Sequence, residues 1–371
     1  MGRAVTAVAR KQRTRAAVHD AATPLLAWYD AERRDLPWRY SPGAKADPYC
    51  VWLSEIMLQQ TTVKAVIPFF ERFIARWPTV TSLAAASEDD VLELWAGLGY
   101  YSRARNLHAC ARAIAARPNS AFPRTEAELL ELPGIGPYTA AAIASIAFGQ
   151  LASPVDGNIE RVISRLFAVE TQLPAAKAEL RVLSATLTPA NRPGDFAQAM
   201  MDLGATICTP KRPSCLMCPL HRLCKANALG IAHELPRRAL KAERPARYGI
   251  AFLALREDGK VLLRRRPDRG LLARMIEVPS TDWADDDPDL QTALQSAPVK
   301  ADWWQVPGTI VHTFTHFRLE LTVMRAVVPI DSSLTFWAAH ERCLWVARRD
   351  LKTQALPSVM RKIIAHALKE N

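Results

Sequence analysis

The stretch LPGIGPYTAAAIASIAFGQLASPVDGN, from Leu132 to Asn158, decides the reading of this chain. It opens on a turn punctuated by Gly134 and Gly136, runs through an apolar segment of one helix's length, and ends on Asp156. A glycine turn that feeds a helix N-terminus aims backbone N–H groups outward, making a sequence-independent anion site whose obvious guest is phosphate. A carboxylate placed one helix later can then act on whatever the gripped phosphate carries. Each half also has an ordinary reading. Pro and Gly punctuate many connectors, and Asp156-Gly157 is a turn signal after which Asn158 can cap a helix beginning at Ile159. The combination carries the functional reading.

Composition bounds the partners. The chain has 371 residues, enough for two or three domains at roughly 150 residues each. Lys plus Arg number 48 against 37 Asp plus Glu, a formal charge of +11, which suits a polyanionic partner. No apolar run reaches the roughly 18 residues that a bilayer span needs, so a soluble protein of a bacterial-type, nucleoid-associated cytoplasm, with no membrane partner, is expected. Residues 1–20 carry Arg3, Arg10, Lys11, Arg13 and Arg15 with no acid before Asp20, the pattern of a basic, flexible arm.

Four of seven cysteines, Cys208, Cys215, Cys218 and Cys224, crowd into a C-x6-C-x2-C-x5-C segment. In an intracellular protein such crowding points to a metal site rather than disulfides, and four thiolates complete the ligation of zinc or of a [4Fe–4S] cluster. Structural zinc usually shows two Cys-x-x-Cys knuckles, and this segment has one. Farther upstream, Asp47-Pro48 is a helix opening with a cap and a proline at the first position. In the run that follows, Glu55 lies three residues from both Trp52 and Leu58, so its carboxyl can project into a partly apolar cleft, although a lone helical Glu is more often a solvated surface residue. Desolvation there raises its pKa and lets it act as an acid at neutral pH.

Several blocks resemble one family. LPGIGPYTA with Asp156 resembles the helix-hairpin-helix and aspartate of the endonuclease III superfamily of DNA repair glycosylases, and the cysteine segment resembles its cluster loop at every cysteine. WLSEIMLQQT (52–61), RRDLPWR (33–39) and WAGLGYYSRARNLH (95–108) resemble the MutY-type adenine glycosylases within it. That resemblance implies a set of roles. Glu55 is the acid, while Gln59, Gln60 and Thr61 approach the mispaired strand. Arg34, Trp38 and Arg39 line or border the adenine pocket, and Tyr100 wedges into the base stack. By their charge alone, Arg103, Arg105, Lys211 and Arg212 suit phosphate contacts, although helix-surface arginines usually have no such duty. Cys208, Cys215, Cys218 and Cys224 hold a [4Fe–4S] cluster that supports folding and DNA contact. Tyr138 occupies the position where strand-cleaving relatives carry a lysine, and Glu160 the position where some members carry another. Little borohydride-trapped adduct is therefore expected.

Residues 232–247 read as a charged, proline-containing linker. Beyond them Asp258-Gly259 separates two apolar segments, a hairpin signal. TIVHTFTHFRLELTVMRAVV alternates, placing Phe314 and His316 on one side if the strand is regular, and a helix is expected around 359–369. This part resembles the MutT-like (Nudix-fold) domain appended to adenine glycosylases. Phe314-Thr315-His316 matches that family's lesion-sensing motif with Thr in place of Ser. No REx-x-EE magnesium motif follows Gly270, so recognition without hydrolysis is implied.

The expected architecture is multi-domain, an all-α helix-hairpin-helix glycosylase core with a cluster loop followed by a mixed α/β Nudix-like domain. Its boundaries are an arm over 1–20 and a catalytic domain over 21–230, with the hairpin at about 125–149 and the cluster loop at 208–224. A linker over 231–246 and a recognition domain over 247–371 complete it. The expected function is monofunctional hydrolysis of the adenine–deoxyribose bond, with Glu55 as acid and Asp156 stabilising the sugar cation. Asn158 and Tyr138 hold the Asp156 carboxylate. The partner is double-stranded DNA with A opposite 8-oxoguanine or guanine, bound by a monomer. The alternatives are a bifunctional pyrimidine glycosylase and lyase, or a noncatalytic iron–sulfur DNA-binding protein.

Overall fold

A capped start marks one of the helices that carry the site, and a glycine stop marks another. In chain order the helices are α1 (Ala22–Glu32), α2 (Pro48–Leu58), α3 (Val63–Arg76), α4 (Val80–Ala85), α5 (Glu88–Trp95) and α6 (Ser102–Ala115). Then follow α7 (Glu126–Leu130), α8 (Pro137–Phe148), α9 (Gly157–Phe167), α10 (Lys177–Leu187), α11 (Pro193–Thr206) and α12 (Lys225–Ala228). Asp47 caps α2 by accepting from the Tyr49 amide at 2.8 Å, with Pro48 in the first turn. Gly136 and Pro137 open α8, and Gly149 ends it in the left-handed region at φ 64°. Such a conformation costs little only without a Cβ.

The computed structural model describes residues 20–239, 243–267, 270–335, 338, 343–352, 354 and 356–369. Apart from Asp20, the expected N-terminal arm lies outside them. The chain forms two compact units, one from Met1–Ala86 with Asn106–Leu240, the other from Ser87–Arg105 with Lys241–Asn371. The second unit thus takes in a segment from the middle of the expected catalytic domain. Within that unit Arg274 pairs with Glu88 at 3.0 Å, and Arg105 Nη1 donates to the Ala273 carbonyl at 3.1 Å. Among the described residues no helix is long and apolar enough to cross a membrane.

In the first unit α2 is buried nearly all round, with Trp52, Leu53 and Met57 fully enclosed. Each such side chain contributes about 1.5–3 kcal/mol of transfer free energy. Small residues set how closely the helices approach. A Cβ on Gly194 would stand 2.6 Å from the Ser145 carbonyl, so α11 crosses α8 at backbone contact. Residues 231–239, within the stretch expected to be linker, are held in this unit. Leu235 is buried with Ala226 and Ala232, and the Leu173 amide donates to the Arg237 carbonyl at 2.8 Å.

The second unit is a mixed sheet of β1 (Ala246–Arg256), β2 (Lys260–Arg265), β3 (Ile276–Glu277), β4 (Trp304–Thr313), β5 (Arg318–Val328) and β6 (Cys343–Ala347). The order is β3-β2-β1-β5-β4, with β6 also against β2; β1 and β5 run parallel in register from Ala246↔Arg318 to Arg256↔Val328. Two short helices, α13 (Leu290–Leu294) and α14 (Ser358–Ala367), flank it. Val359, Met360, Ile363 and Ile364 of α14 pack with Leu253, Leu319 and Leu321, while Ala293 of α13 packs with Ile250 and Phe252. Both faces of β1 are therefore covered, as its uninterrupted apolar run demands. The Asp258-Gly259 hairpin is present, with Gly259 at φ 81°. The regular strand through Phe314 and His316 is not. Thr313 ends β4, Arg318 begins β5, and the Phe314 amide donates to the Phe317 carbonyl at 2.9 Å across a tight turn. None of the usual turn residues marks that reversal, so alternation ran through it unbroken.

Candidate active site

A cavity of about 530 Å³ in the first unit gathers Glu55, Asp156, Asn158, Tyr138, Arg34, Trp38, Arg39, Gln59, Gln60 and Thr61 on its wall. Burial of α2 on all sides leaves Glu55 only 7% exposed. That desolvation pushes its pKa up to about 7, against opposing contributions from a Tyr138 hydrogen bond and the Arg39 charge, with Asp156 adding a further upward push. A carboxyl group in this state keeps its proton near neutrality and can give it to a substrate. Gln59, Gln60 and Thr61 follow the end of α2 at the cavity. Gln59 Nε2 donates to Thr139 Oγ1 at 3.2 Å, and Gln60 sits in the left-handed region at φ 56°.

Asp156 is the cap of α9, which begins at Gly157 rather than Ile159. Its Oδ1 accepts from the Asn158 and Ile159 amides at 3.0 and 2.8 Å, and its Oδ2 accepts from Asn158 Nδ2 at 2.8 Å. The carboxylate is thus fixed in place by its own helix. Asn158 holds Asp156, whereas the Tyr138 hydroxyl donates to Met201 Sδ at 3.9 Å and acts on Glu55 by lowering its pKa. Burial and the two neighbouring carboxylates raise the Tyr138 pKa well above its ordinary value, so its hydroxyl stays a donor.

Sequence reasoning missed the residues behind this pair. Arg161, 7% exposed, donates to Asn158 Oδ1 at 2.9 Å, to the Gly204 carbonyl at 2.7 Å and to the Cys208 carbonyl at 2.7 Å. Arg165, one turn on, donates to Cys208 Sγ at 3.2 Å and to the carbonyls of Thr209, Pro210 and Leu235. Two arginines four apart in IERVISRLF, among Val162, Ile163, Leu166 and Phe167, were the available signal. Gly204 matters by what it lacks, since a Cβ there would stand 2.6 Å from the Asn158 Cβ.

Asp202 is a second missed residue. It is fully buried, accepting from Arg34 Nε at 2.7 Å, the Arg34 amide at 3.1 Å and Arg39 Nη2 at 3.1 Å. Arg39 also donates to the Tyr29 hydroxyl at 3.1 Å, and Trp38 sits edge-on to Phe70 at 5.3 Å. The RRDLPWR block is therefore a braced wall, and the lone acid in AMMDLGA was its signal.

Gly134, at φ 76°, lies in the turn before α8, where a Cβ would come within 2.6 Å of the Asn106 Cβ. The α8 N-terminus has no side-chain cap, leaving its first-turn amides for a ligand. Tyr100, Phe314, Thr315 and His316 belong to the second unit. Tyr100 is 52% exposed at φ 50°. Arg103, expected on phosphate, is instead buried. Its Nη2 donates to the Leu98 and Gly99 carbonyls, both at 3.2 Å, and its guanidinium lies 5.5 Å from the Tyr100 ring centre. Arg105 is likewise committed to the Ala273 carbonyl.

Cys208, Cys215, Cys218 and Cys224 line one small void with Arg165 and His221. Burial, with the neighbouring thiols adding to it, pushes Cys218 up to about 12 and raises Cys224. Among the described residues no three His, Cys, Asp or Glu side chains are grouped to hold a single metal ion. Lys211 and Arg212 are exposed on the same loop.

Residues 53–186 match the family model of the HhH-GPD superfamily base excision DNA repair protein, and residues 250–366 match that of the NUDIX domain. Human adenine DNA glycosylase is 36% identical over 91% of this chain and 72% of its own. The adenine DNA glycosylase of Buchnera aphidicola subsp. Acyrthosiphon pisum is 31% identical over 92% of this chain and 95% of its own. A solved structure of a thermostable thymine-DNA glycosylase superposes with a TM-score of 0.52 at 31% identity, covering 60% of this chain and 99% of that one.

Proposed function

The chain belongs to the adenine DNA glycosylase family, and on that premise we propose that it acts on adenine opposite 8-oxoguanine, or opposite guanine, in double-stranded DNA. Adenine inside a duplex is out of reach, so it is flipped into the cavity at a cost of a few kcal/mol, lower at a mispair. The α8 amides behind Gly134 and Gly136 grip phosphate, and Tyr100 fills the stack. Glu55 protonates the imidazole side of the purine as the glycosidic bond stretches, so that adenine leaves as a neutral base. Asp156, held by Asn158, stabilises the oxocarbenium ion that forms. Glu55, now ionised, then serves as base toward water.

The observation that carries this reading is one cavity holding both carboxyl groups, with the proton on Glu55 near neutrality. Among the residues that line the cavity there is no lysine to attack the sugar, and Glu160, 3.4 Å from Lys177, offers none. Hydrolysis without strand cleavage follows. A strand-cleavage assay on duplexes with defined mispairs tests it. Nicking at A opposite 8-oxoguanine only after alkali is expected, with little adduct on borohydride reduction; alkali-independent nicking or efficient trapping overturns it.

Lesion recognition is assigned to the exposed Thr315 and His316 at the β4–β5 turn. Substituting both residues should reduce the preference for 8-oxoguanine over guanine. Cys208, Cys215, Cys218 and Cys224 would hold a [4Fe–4S] cluster, a reading supported by their shared void and by the Arg165 donor aimed at Cys208 Sγ. When bound, such a cluster cross-links the loop and offsets the charge of buried thiolates. About four irons and four sulfides per chain are expected from chemical analysis.

A further inference from the structure

The turn that carries Thr315 and His316 contains no Gly, Pro, Asn or Asp, so packing has to define its shape. Phe314 and Phe317 stack at 4.8 Å across it, and Trp283 lies 5.7 Å from Phe314 and 6.4 Å from Phe317. The Arg266 guanidinium stands 5.1 Å from the Trp283 ring centre and that of Arg247 4.8 Å from the Phe317 ring centre, which makes a column with a cation at either end.

Trp283 is placed by backbone. The segment 279–284 pairs with the first half of β1, through the Thr281 amide to the Ile250 carbonyl at 2.9 Å and reciprocal bonds of 2.8 and 3.1 Å between Tyr248 and Ala284. The indole then rests over Gly249, where a Cβ would stand 3.0 Å from Trp283 Cδ1. Among the described residues Trp283 Nε1 has no hydrogen-bond partner, so shape rather than a polar contact holds the ring.

We propose that Trp283, seated on Gly249, is a positioning residue that sets the geometry of the Thr315–His316 tip and thereby the preference for 8-oxoguanine over guanine. The inference rests on the lesion-reading role assigned to that tip above. Loss of the indole frees Phe314 to rotate, and the tip hydroxyl and imidazole then miss their partner atoms while still being present.

The test compares single-turnover rates on A opposite 8-oxoguanine and A opposite guanine in the full-length protein. Trp283→Ala should lower the ratio of the two rates about tenfold, the size of one misplaced hydrogen bond. Trp283→Phe should keep it within about twofold, since no N–H contact is lost. A merely structural role would lower both rates together and leave the ratio alone. Should Trp283→Ala not fold, Gly249→Ala, whose methyl would stand 3.0 Å from Trp283 Cδ1 and 3.1 Å from Leu321 Cδ2 and so press on the underside of the ring, should still lower the ratio. An unchanged ratio in the folded Trp283 or Gly249 variants, alongside a lowered one in Thr315→Val, overturns the inference and leaves lesion reading in place. Unchanged ratios in all of them, including His316→Ala, overturn both.

Discussion

Glu55 holds its proton to about pH 7 because α2 is enclosed on every side, and burial outweighs the Tyr138 hydrogen bond and the Arg39 charge. An acid catalyst works only while protonated, so kcat/KM should break downward as pH rises through about 7. The same shift has a stability consequence. A pKa raised from the ordinary 4.5 to about 7 means the folded state holds a proton that the unfolded state has released. Its contribution is full below pH 4.5 and is lost as pH climbs to about 7, on the order of 3 kcal/mol in all. Glu55→Gln should therefore raise Tm at about pH 8, leave it nearly unchanged at about pH 4, and cost roughly 10²- to 10⁴-fold in adenine release. Asp156→Asn separates two roles on one side chain. Asn caps a helix about as well as Asp, so the two amide contacts survive and only the Asn158 Nδ2 contact is lost; stability should fall by about 1–2 kcal/mol while adenine release collapses. An inactive but stable protein assigns the carboxylate to chemistry; retained activity assigns it to capping alone. Asp156 was legible in sequence from its place one helix after the glycine turn, and Glu55 from the resemblance of WLSEIMLQQT to a family motif. The influence of Tyr138 on the Glu55 carboxyl was not, since it joins two helices far apart along the chain.

Helix α9 works as a beam between the site and the cysteine loop. Arg161 satisfies Asn158 Oδ1 and the carbonyls of Gly204 and Cys208 at once, so its removal strands three acceptors in a buried place. Arg161→Ala should cost on the order of 3 kcal/mol by denaturant unfolding and reduce adenine release together with it, with Arg161→Lys falling between. Equal stability of Arg161→Ala and the parent would show that water replaces those contacts. A second element, the turn from Trp95 to Arg103, is tied to itself: Trp95 Nε1 donates to the Gly99 carbonyl at 3.0 Å, and Arg103 Nη2 shares that acceptor. The expected phosphate contact needs Arg103 exposed, and Arg103 is buried. Its burial came from packing, which periodicity of one segment does not contain.

For the whole molecule, a formal charge of +11 makes DNA affinity depend on counterion release. The log of the binding constant for an undamaged duplex should fall linearly with log salt, dropping at least about tenfold between about 50 and about 200 mM, and a flat response in a binding titration would contradict a phosphate-gripping surface. The sequence determined by itself what is local and what is compositional: the capped start of α2, the glycine turn into α8, Asp156 one helix later, the crowded cysteines and the Asp258-Gly259 hairpin. Each follows from backbone preferences within a few residues, or from residue types too rare to crowd by accident. Tertiary structure alone decided that Glu55 is buried deeply enough to keep its proton, that Asp202 braces both Arg34 and Arg39, and that Gly204 lets α11 reach Asn158. It also decided that residues 314–317 reverse the chain instead of extending it. The physical reason is common to all four. Desolvation, ion pairing, close helix approach and turns shaped by aromatic stacking depend on neighbours supplied from distant parts of the chain, and no local pattern encodes who those neighbours are.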